Sequence, residues 1–525
     1  MGRPGGQAGR SGEPLAVTER LVSRVGACRD VLWGRRVEGH SGRSMFDEEV
    51  ISFAHGNGLR APAPAVVAAG IGALLDQSGF PLQRYNFLER YEPLEESIHT
   101  TMLREGFPLE HLDAICIDAG TSKLFTSFLS TVTAPGDVVL AAPGFYHGLV
   151  GWCRMLKLGI RIVPAAAERS YKLTGAGLDA AWSAGDWCKA RRAGVVVVFN
   201  PTPSGAIYTA AELREVADFC VGHDLTAIED NVFARTRYDP HAPIAHLVDD
   251  ERMRDRVVSV DGCSKADGLA NLRIGWAVGP RHLIERLEQV KVATTVALPY
   301  VTLVMADAAL RREWQLRQGD AAVCRHRAEL VTAGLAELNE LLDVPGEAGF
   351  RVVHPPQAGH SIMVDAGPVG SAGGHLAPFR NSLQLAEDWL DRAAVAVSPL
   401  YSCGLDGHEF RLNFASINRT ARAGSGRREH PAGRDPRRRA PRTVGRDDHD
   451  AVRQLARLVE AEGDAPPPID TAPGLIHEGL VRRLASALHP RALGRPRTHR
   501  VVSLARVTRE PSSSARSRLS AAATG

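Results

Sequence analysis

Seven short apolar segments, separated by stretches with helical periodicity, constrain the fold of this 525-residue chain more than any other feature. Short apolar runs bounded by turn residues fit strands that are buried on both faces of a sheet. Strands that alternate with helices predict an α/β sheet with helices on both sides. The predicted strands are Ala114–Ile117, Val138–Ala141, Ile160–Val163, Val195–Phe199, Thr226–Ile228, Val257–Val260 and Trp276–Val278. The predicted helices include Leu124–Thr131, Ala210–Val221, Pro280–Val290 and Val301–Leu341.

Changes in composition divide the chain into four predicted parts. These are a flexible leader (1–44), a large α/β domain that also gives its N-terminal segment to the small domain (45–300), an interdomain helix with a smaller α+β domain (301–415), and an Arg/Pro-rich, partly disordered tail (416–525). Helices are predicted within the leader at Thr18–Leu32 and within the tail at Asp450–Glu462. An insertion and a shifted reading frame both account for the unusual composition of residues 416–446.

The charge of the chain is unevenly distributed. Residues 416–525 contain 22 arginines and 11 acidic residues, a formal charge of +11, so the rest of the chain carries −8. The body therefore gives no electrostatic reason to expect a nucleic-acid partner. Eight scattered cysteines form no Cys-x-x-Cys pair, which predicts a reducing cytoplasm and no metal site. No apolar stretch is long enough to suggest a membrane span.

Lys265 is the residue that points most directly to chemistry. It is one of only six lysines, it follows an apolar strand and a small-residue turn, and Arg273 stands eight residues further on. A deprotonated lysine forms a Schiff base with an aldehyde, and a rigid arginine binds phosphate through two hydrogen bonds. Pyridoxal phosphate (PLP) requires both groups. A solvated lysine on a loop is the competing interpretation of Lys265 alone.

Two further segments follow predicted strands and suit the same cofactor. Thr121 and Ser122 open a helix, where backbone N–H groups and hydroxyls bind phosphate, although an ordinary helix cap explains them equally. Phe145 or its neighbour Tyr146 follows the next strand and could stack on a pyridine ring; Phe145 is the better placed. A buried aromatic side chain without a ligand is the alternative.

Polar residues at later strand ends complete the predicted site. The turn Asn200–Gly205 follows the most apolar strand, and Asp230 ends the next one. A buried carboxylate there keeps a pyridine nitrogen protonated. Arg411 lies on an alternating strand and could bind a substrate carboxylate. A turn without a ligand, a helix cap and a surface ion pair are the respective alternatives.

Taken together, these motifs resemble the fold-type I PLP enzymes, specifically class I/II aminotransferases and aminocyclopropane-carboxylate synthases, over about residues 48–415. The resemblance implies a PLP-transferase fold: a large, mostly parallel seven-stranded sheet domain and a smaller α+β domain. It implies that Lys265 forms the internal aldimine and shuttles protons, that Asp230 pairs with the pyridine nitrogen, and that Phe145 covers the ring. The residues implied to hold the phosphate are Thr121, Ser122, Ser264 and Arg273, with Tyr85 reaching the phosphate of the neighbouring subunit of a homodimer. Those implied to bind the substrate carboxylate are Arg411 and Gly56.

Three positions depart from the family pattern. The usual Asn-Pro-x-Asn-Pro-Thr-Gly is one residue shorter here, with Asn200 and Thr202 as the candidates near the phenolic oxygen (O3′) of the cofactor. Phe233 stands where the family has a tyrosine, and Gly262 stands where it often has Ser or Thr. The loss of donors to O3′ predicts a raised pKa of the cofactor imine and a reaction other than simple transamination. A substitute donor, such as Lys123 or His147, is the alternative.

The first predicted function is therefore an aminotransferase that acts on an α-amino acid. The second is elimination, replacement or cyclisation at the β or γ carbon, as in the synthases that use S-adenosylmethionine. A third, an aminotransferase-like transcription regulator, is disfavoured because residues 1–44 are too short and glycine-rich for a winged helix-turn-helix.

Overall fold

The computed structural model describes eight ranges of the chain, and all structural statements below concern these. Seven of them are residues 13–35, 42–76, 91–184, 194–344, 348–367, 379–417 and 472–488, and the eighth comprises residue 82 with residues 84–85.

Helices and strands alternate through the first three hundred residues, and helices dominate afterwards. The helices are α1 (Glu13–Leu32), α2 (Pro64–Leu75), α3 (Glu92–Arg104), α4 (Thr121–Val132), α5 (Gly148–Leu156), α6 (Gly175–Ser183), α7 (Ala210–Gly222), α8 (Arg281–Thr294), α9 (Tyr300–Leu341), α10 (Ser382–Ala393), α11 (Ala472–Ile476) and α12 (Leu484–Leu488). The strands are β1 (Ile51–Ser52), β2 (Ile115–Asp118), β3 (Val138–Ala141), β4 (Gly159–Ile162), β5 (Gly194–Phe199), β6 (Thr226–Asp230), β7 (Val257–Gly262), β8 (Gly275–Val278), β9 (Arg351–Val352), β10 (Ser361–Asp365), β11 (Val395–Ala396), β12 (Ser398–Pro399) and β13 (Glu409–Asn413).

A seven-stranded sheet forms the centre of the large domain, with the strand order β2-β8-β7-β6-β5-β3-β4. Only β8 runs antiparallel to its neighbours. The four consecutive valines of β5 are at most 1% exposed, because helices cover both faces of the sheet. All seven predicted strands are confirmed, and so is the mostly parallel α/β fold.

A smaller α+β unit contains the antiparallel sheet β12-β13-β10-β9 and the parallel pair β1–β11. The 42-residue helix α9 leads into it. Its core surrounds Trp389 and Phe410, whose rings meet edge to face with centroids 5.1 Å apart. Because β1 pairs with β11, the N-terminal segment contributes a strand to this unit.

The leader is more ordered than its composition predicts. Helix α1 begins at Glu13, and its residues Leu21 and Cys28 are buried. The Thr18 hydroxyl donates to the Leu158 carbonyl (3.0 Å) and accepts from the Ile160 N–H (3.0 Å). These bonds join α1 to the edge strand β4, so this part of the leader is a structural element.

The tail also contributes to the core. Helices α11 and α12 flank a π-helical segment, His477–Arg483, in which Leu480 and Val481 are buried. A side chain at Gly479 would meet the Phe53 ring at 2.9 Å, so this segment packs directly on the small unit. The predicted helix Asp450–Glu462 lies outside the described residues. None of the helices described is both long and apolar enough to span a bilayer.

Candidate active site

Two of the predicted site residues, Asp230 and Lys265, lie where central strands of the large sheet end. Asp230 is the last residue of β6, and Lys265 lies three residues beyond β7. The Lys265 ammonium donates a hydrogen bond to the Gly56 carbonyl, and its Nζ lies 5.6 Å from the centre of the Phe233 ring. Crevices at the carboxyl ends of parallel strands are the usual binding sites of such sheets.

The surroundings of Lys265 favour its neutral amine. The pKa of Lys265 is lowered to about 8; burial is the largest cause, the positive charges of Arg411 and Arg273 act in the same direction, and Asp230 opposes them. An ordinary lysine is almost entirely protonated at neutral pH. Lys265 therefore has the nucleophilic and basic character that Schiff-base chemistry requires.

Asp230 is a buried carboxyl group without a cationic partner of its own at bonding distance among the described residues. Its pKa is raised to about 7; burial is the largest cause, the charge of Asp261 acts in the same direction, and the Val232 N–H, which donates to Oδ1 at 3.0 Å, opposes them. A cation placed against this carboxyl group would stabilise its ionised form. The protonated nitrogen of a pyridine ring satisfies that requirement.

Gly120 forms the floor of a candidate phosphate site at the first turn of α4. Its φ of +81° and ψ of 166° are essentially restricted to glycine. A Cβ atom at Gly120 would lie 2.6 Å from Nη2 of Arg273, so the guanidinium rests against the start of the helix. A helix N-terminus and an arginine together provide directed donors for a phosphate.

Three hydroxyl groups of the predicted phosphate site belong to Thr121, Ser122 and Ser264. None of them makes a side-chain hydrogen bond within the part of the chain that the structure describes, so all remain open to a ligand. Gly262 approaches the Ile274 carbonyl so closely that a Cβ would lie 2.7 Å from its oxygen. The glycine at this departure from the family pattern is therefore required by strand packing.

Arg411 projects from β13 of the small unit, opposite Met363 and Ser398. Its charge acts on both Lys265 and His147, which brings it to the same crevice. No ion pair or hydrogen bond engages its guanidinium among the described residues. A half-buried cation in this position is suited to a carboxylate ligand.

Asn200 is not brought into this crevice. Its amide donates to Glu229 Oε1 (3.0 Å) and to the Ala245 carbonyl (2.8 Å), and its oxygen accepts from the Tyr208 N–H (3.3 Å). Glu229 precedes Asp230 on the strand, so its side chain points to the opposite face of the sheet. Both side-chain donors of Asn200 are thus directed away from the Asp230 face.

Thr202 is likewise engaged within its own loop. Its hydroxyl lies 2.6 Å from the Ser204 hydroxyl and accepts from the Ala206 N–H at 3.1 Å. Phe233 does lie beside Lys265, but its ring offers no hydroxyl. The described residues at the family's two O3′-donor positions therefore direct no donor into the crevice.

The aromatic candidates differ in exposure. Phe145 is 1% exposed and packs in the core next to Gly404, whose Cβ would lie 3.4 Å from the ring. Tyr146 is 40% exposed and packs against His147. Tyr85 is 68% exposed on this chain. The roles assigned to Phe145 over the ring and to Tyr85 at a subunit boundary stay predictions.

His360 is a site residue that the sequence did not reveal. It is 2% exposed, its ring meets Phe233 edge-on at 5.6 Å, and its Nδ1 is buried without a hydrogen-bond partner among the described residues. Burial and then the charge of Lys265 lower its pKa to about 3, so the imidazole is neutral. A histidine between an apolar strand and a Pro/Gly turn carries no distinctive spacing, and only the fold places it beside Lys265.

His147 is an exposed residue near Arg411. Desolvation by the surrounding protein and the charge of Arg411 lower the pKa of its imidazole. Its proximity to Arg411 keeps it a candidate for the substitute donor that the sequence suggests. No group of three or more metal-ligating side chains occurs among the described residues.

Comparison with known proteins agrees with this arrangement. The family model for aminotransferases of class I and II matches residues 48–422. The arginine–pyruvate transaminase AruH of Pseudomonas aeruginosa is 26% identical over 343 residues, covering 64% of this chain and 77% of the relative. Capreomycidine synthase of Streptomyces vinaceus is 28% identical over 247 residues, covering 47% of this chain and 61% of the relative.

Solved structures support the fold. The crystal structure of the aspartate aminotransferase from Rhizobium meliloti aligns with a TM-score of 0.60 at 21% identity, covering 80% of this chain and 96% of that one. The crevice also fits PLP in its chemistry, since it offers a buried acid for the pyridine nitrogen, a lysine of lowered pKa for the aldehyde and an arginine at a helix start for the phosphate. The chain therefore belongs to the class I and II aminotransferase family of PLP-dependent enzymes.

Proposed function

We propose that this enzyme transfers the amino group of an α-amino acid to PLP and then to a keto acid, with Lys265 as the residue that binds the cofactor. The observation that carries the proposal is that Lys265, of lowered pKa, shares a crevice with Asp230, Arg273 and Arg411. Lys265 would provide the amine that binds the cofactor, and Asp230 would pair with the pyridine nitrogen. Arg273 would bind the phosphate, and Arg411 would bind the substrate carboxylate.

When bound, PLP supplies an electron sink that acidifies the Cα–H bond of an attached amino acid. Arg411 orients the substrate by binding its α-carboxylate, and the Gly56 carbonyl holds Lys265 nearby. The neutral Nζ of Lys265 removes the proton from Cα. Asp230 keeps a proton on the pyridine nitrogen, and Arg273 with the start of α4 fixes the phosphate.

The experiment that tests the proposal follows the cofactor when substrate is added. The purified holoenzyme is mixed with single amino acids, including arginine and aspartate, and with S-adenosylmethionine. Transamination converts PLP to pyridoxamine phosphate, and a keto acid then restores it. If no amino acid consumes the aldehyde form of the cofactor while substrate is nevertheless used up, transamination is wrong.

That second result would support elimination, replacement or cyclisation at the β or γ carbon. The observation favouring this second candidate is the missing pair of O3′ donors: Asn200 is committed to Glu229, and Phe233 has no hydroxyl. The similarity to a synthase points the same way without identifying a substrate. Mass spectrometry of the products distinguishes the two candidates.

We expect replacement of Arg411 by methionine to raise the KM for the amino acid about 100-fold, with a much smaller effect on kcat. The reason is that a carboxylate loses a bidentate, charge-assisted partner worth roughly 3 kcal/mol. Steady-state kinetics with a saturating keto acid measure both constants. Arg351→Met is the matched control, because Arg351 lies on the same sheet and pairs with Asp365 at the surface. Equal KM values for the two variants would contradict this role.

The lowered pKa of Lys265 gives a pH-dependent expectation. In cofactor-free protein, capture of added PLP should accelerate about tenfold per pH unit up to about pH 8 and then level off, because the neutral amine is the nucleophile. An unperturbed lysine would show no plateau below about pH 10. Arg411→Met removes a charge that lowers this pKa, so its plateau should begin at higher pH. Stopped-flow absorbance measures the rates.

We also propose that the enzyme is a homodimer in which Tyr85 reaches the phosphate bound by the partner subunit. The exposure of Tyr85 on this chain and its family resemblance support the proposal. Sedimentation velocity tests the assembly. A protein that remains monomeric while it binds PLP tightly would overturn it.

A further inference from the structure

Arg235 lies behind the crevice, in the turn that follows Asp230 and Phe233, and its side chain is fully buried. The loop that carries Lys265 leaves β7 at Gly262 and runs past Asp267. A lysine loop of this kind must hold one amine at a fixed position, because small misplacements of a catalytic group reduce rates strongly. The backbone bonds of the loop include Leu269 N–H to the Cys263 carbonyl at 3.0 Å and Cys263 N–H to the Ile274 carbonyl at 3.2 Å.

The Arg235 guanidinium joins both ends of that loop. Nε donates to Asp261 Oδ2 at 2.8 Å, and Nη2 donates to the Gly262 carbonyl at 3.0 Å; both acceptors lie where β7 ends. Nη1 and Nη2 donate to the two oxygens of Asp267 at 3.2 and 2.9 Å. Cys263, Ser264 and Lys265 stand between these two anchoring points.

The geometry of this group, which we call the Arg235 clamp (Arg235, Asp261 and Asp267), is unusually constrained. The three side chains are at most 2% exposed, and the guanidinium lies 5.4 Å from the ring centre of the buried Trp276. Two carboxylates on one planar fork leave the arginine little freedom to rotate. Because Arg235 follows the strand that carries Asp230, the clamp ties the Asp230 segment to the Lys265 loop.

We infer that Arg235 is a positioning residue of the active site, which fixes the Nζ of Lys265 relative to Asp230 by holding the lysine loop on both sides of Lys265. The inference rests on the proposed function, since it assumes that Lys265 binds the cofactor. Arg235 contacts neither substrate nor cofactor; it acts through the loop. Arg235 should therefore determine the rate at which PLP binds and the orientation in which it is bound. Loss of Arg235 should leave the contact between Arg411 and the substrate carboxylate intact.

A single replacement, Arg235→Met, leaves two buried carboxylates without a counter-charge and is expected to destabilise the fold. A second variant, R235M/D261N/D267N, removes all three charges and so leaves no buried carboxylate without a counter-charge. It does not restore the hydrogen bonds that the Arg235 guanidinium donates. Arg252→Met is the control, because Arg252 is an exposed arginine that also bonds two carboxylates, those of Asp218 and Asp250.

The measurements are the rate of PLP capture, the visible circular dichroism of the bound cofactor, and kcat and KM, all at a temperature where far-ultraviolet dichroism shows folded protein. For the neutral triple variant we expect capture and kcat to fall about 100-fold, the visible dichroic band to lose at least half its intensity, and KM to stay within about threefold. Arg252→Met should match the wild type in all four.

The outcomes separate the two proposals. A folded triple variant with wild-type capture, dichroism and kcat overturns the inference and leaves Arg235 a charge-balancing residue only. A wild-type protein whose Lys265 does not capture PLP overturns the proposed function itself. A triple variant in which KM rises with kcat unchanged would also contradict the inference, since it would locate the effect at the substrate carboxylate.

Discussion

Replacement of Lys265 by alanine is expected to abolish turnover, lowering kcat by about 10⁴-fold or more, because one side chain provides both the amine that binds the cofactor and the base at Cα. Its lowered pKa and its bond to the Gly56 carbonyl are the structural reasons for assigning it both tasks. Steady-state kinetics give the loss. Borohydride reduction of the wild-type holoenzyme, followed by peptide mass analysis, should place the mass of the cofactor on Lys265.

Lys291→Ala serves as the control for Lys265→Ala. Lys291 is a partly exposed residue of α8 that pairs with Glu288 one turn away in the same helix, a contact worth little stability. Turnover and the visible cofactor band should be those of the wild type. Cofactor mass found on any of the other five lysines, or substantial turnover by Lys265→Ala, would contradict the assignment.

The fold could be predicted from the sequence because each central strand is a short apolar run. Such runs fit a sheet whose two faces are both covered by helices. Polar residues mark the carboxyl ends of both strands: Asn200 directly follows β5, and β6 ends at Asp230. The predicted bounds differ from the observed ones by one or two residues, because the polar ends, such as Asp230, continue the ladder. Helix α1 was underestimated because its stability depends on β4, which lies 140 residues away.

Only part of the site could be predicted from the sequence. Which residues could be predicted depends on whether their position is fixed by the local backbone or by partners distant in sequence. Motif order led to the proximity of Lys265 and Gly56, which the structure shows as a hydrogen bond, while the roles of Lys265, Asp230 and Arg273 toward the cofactor stay predictions. Asn200 was expected near O3′, but the buried Glu229 carboxylate, invisible as a partner in the sequence, takes its amide.

His360 and Arg235 show the other limit of sequence reasoning. His360 lies near Lys265 but comes from a segment that is distant from it in sequence. Arg235 bonds to the Lys265 loop but stands at a position with no motif spacing. A buried ion cluster is specified by which carboxylates face each other, and that depends on strand register. Such residues become visible only after β6 and β7 are placed side by side.

The second large effect is expected at Gly120. Replacing it by alanine should raise the dissociation constant of PLP about 100-fold or more, because the Cβ would lie 2.6 Å from Nη2 of Arg273 and push the guanidinium off the first turn of α4. The loss of two charge-assisted hydrogen bonds to a phosphate accounts for that magnitude. Equilibrium titration of cofactor-free protein, followed by visible absorbance, measures the constant.

Backbone strain alone must be separated from the displaced arginine, since alanine in this region of φ and ψ costs about 1–3 kcal/mol of folding stability. Gly106→Ala is the control: Gly106 has a φ of +92°, and the nearest atom to its Cβ would be 3.9 Å away. Both variants should melt at lower temperature, but only Gly120→Ala should lose cofactor affinity. Arg273→Ala should reproduce that loss without the strain. If Gly106→Ala weakened PLP binding as much as Gly120→Ala, the contact between Gly120 and Arg273 would not be the cause.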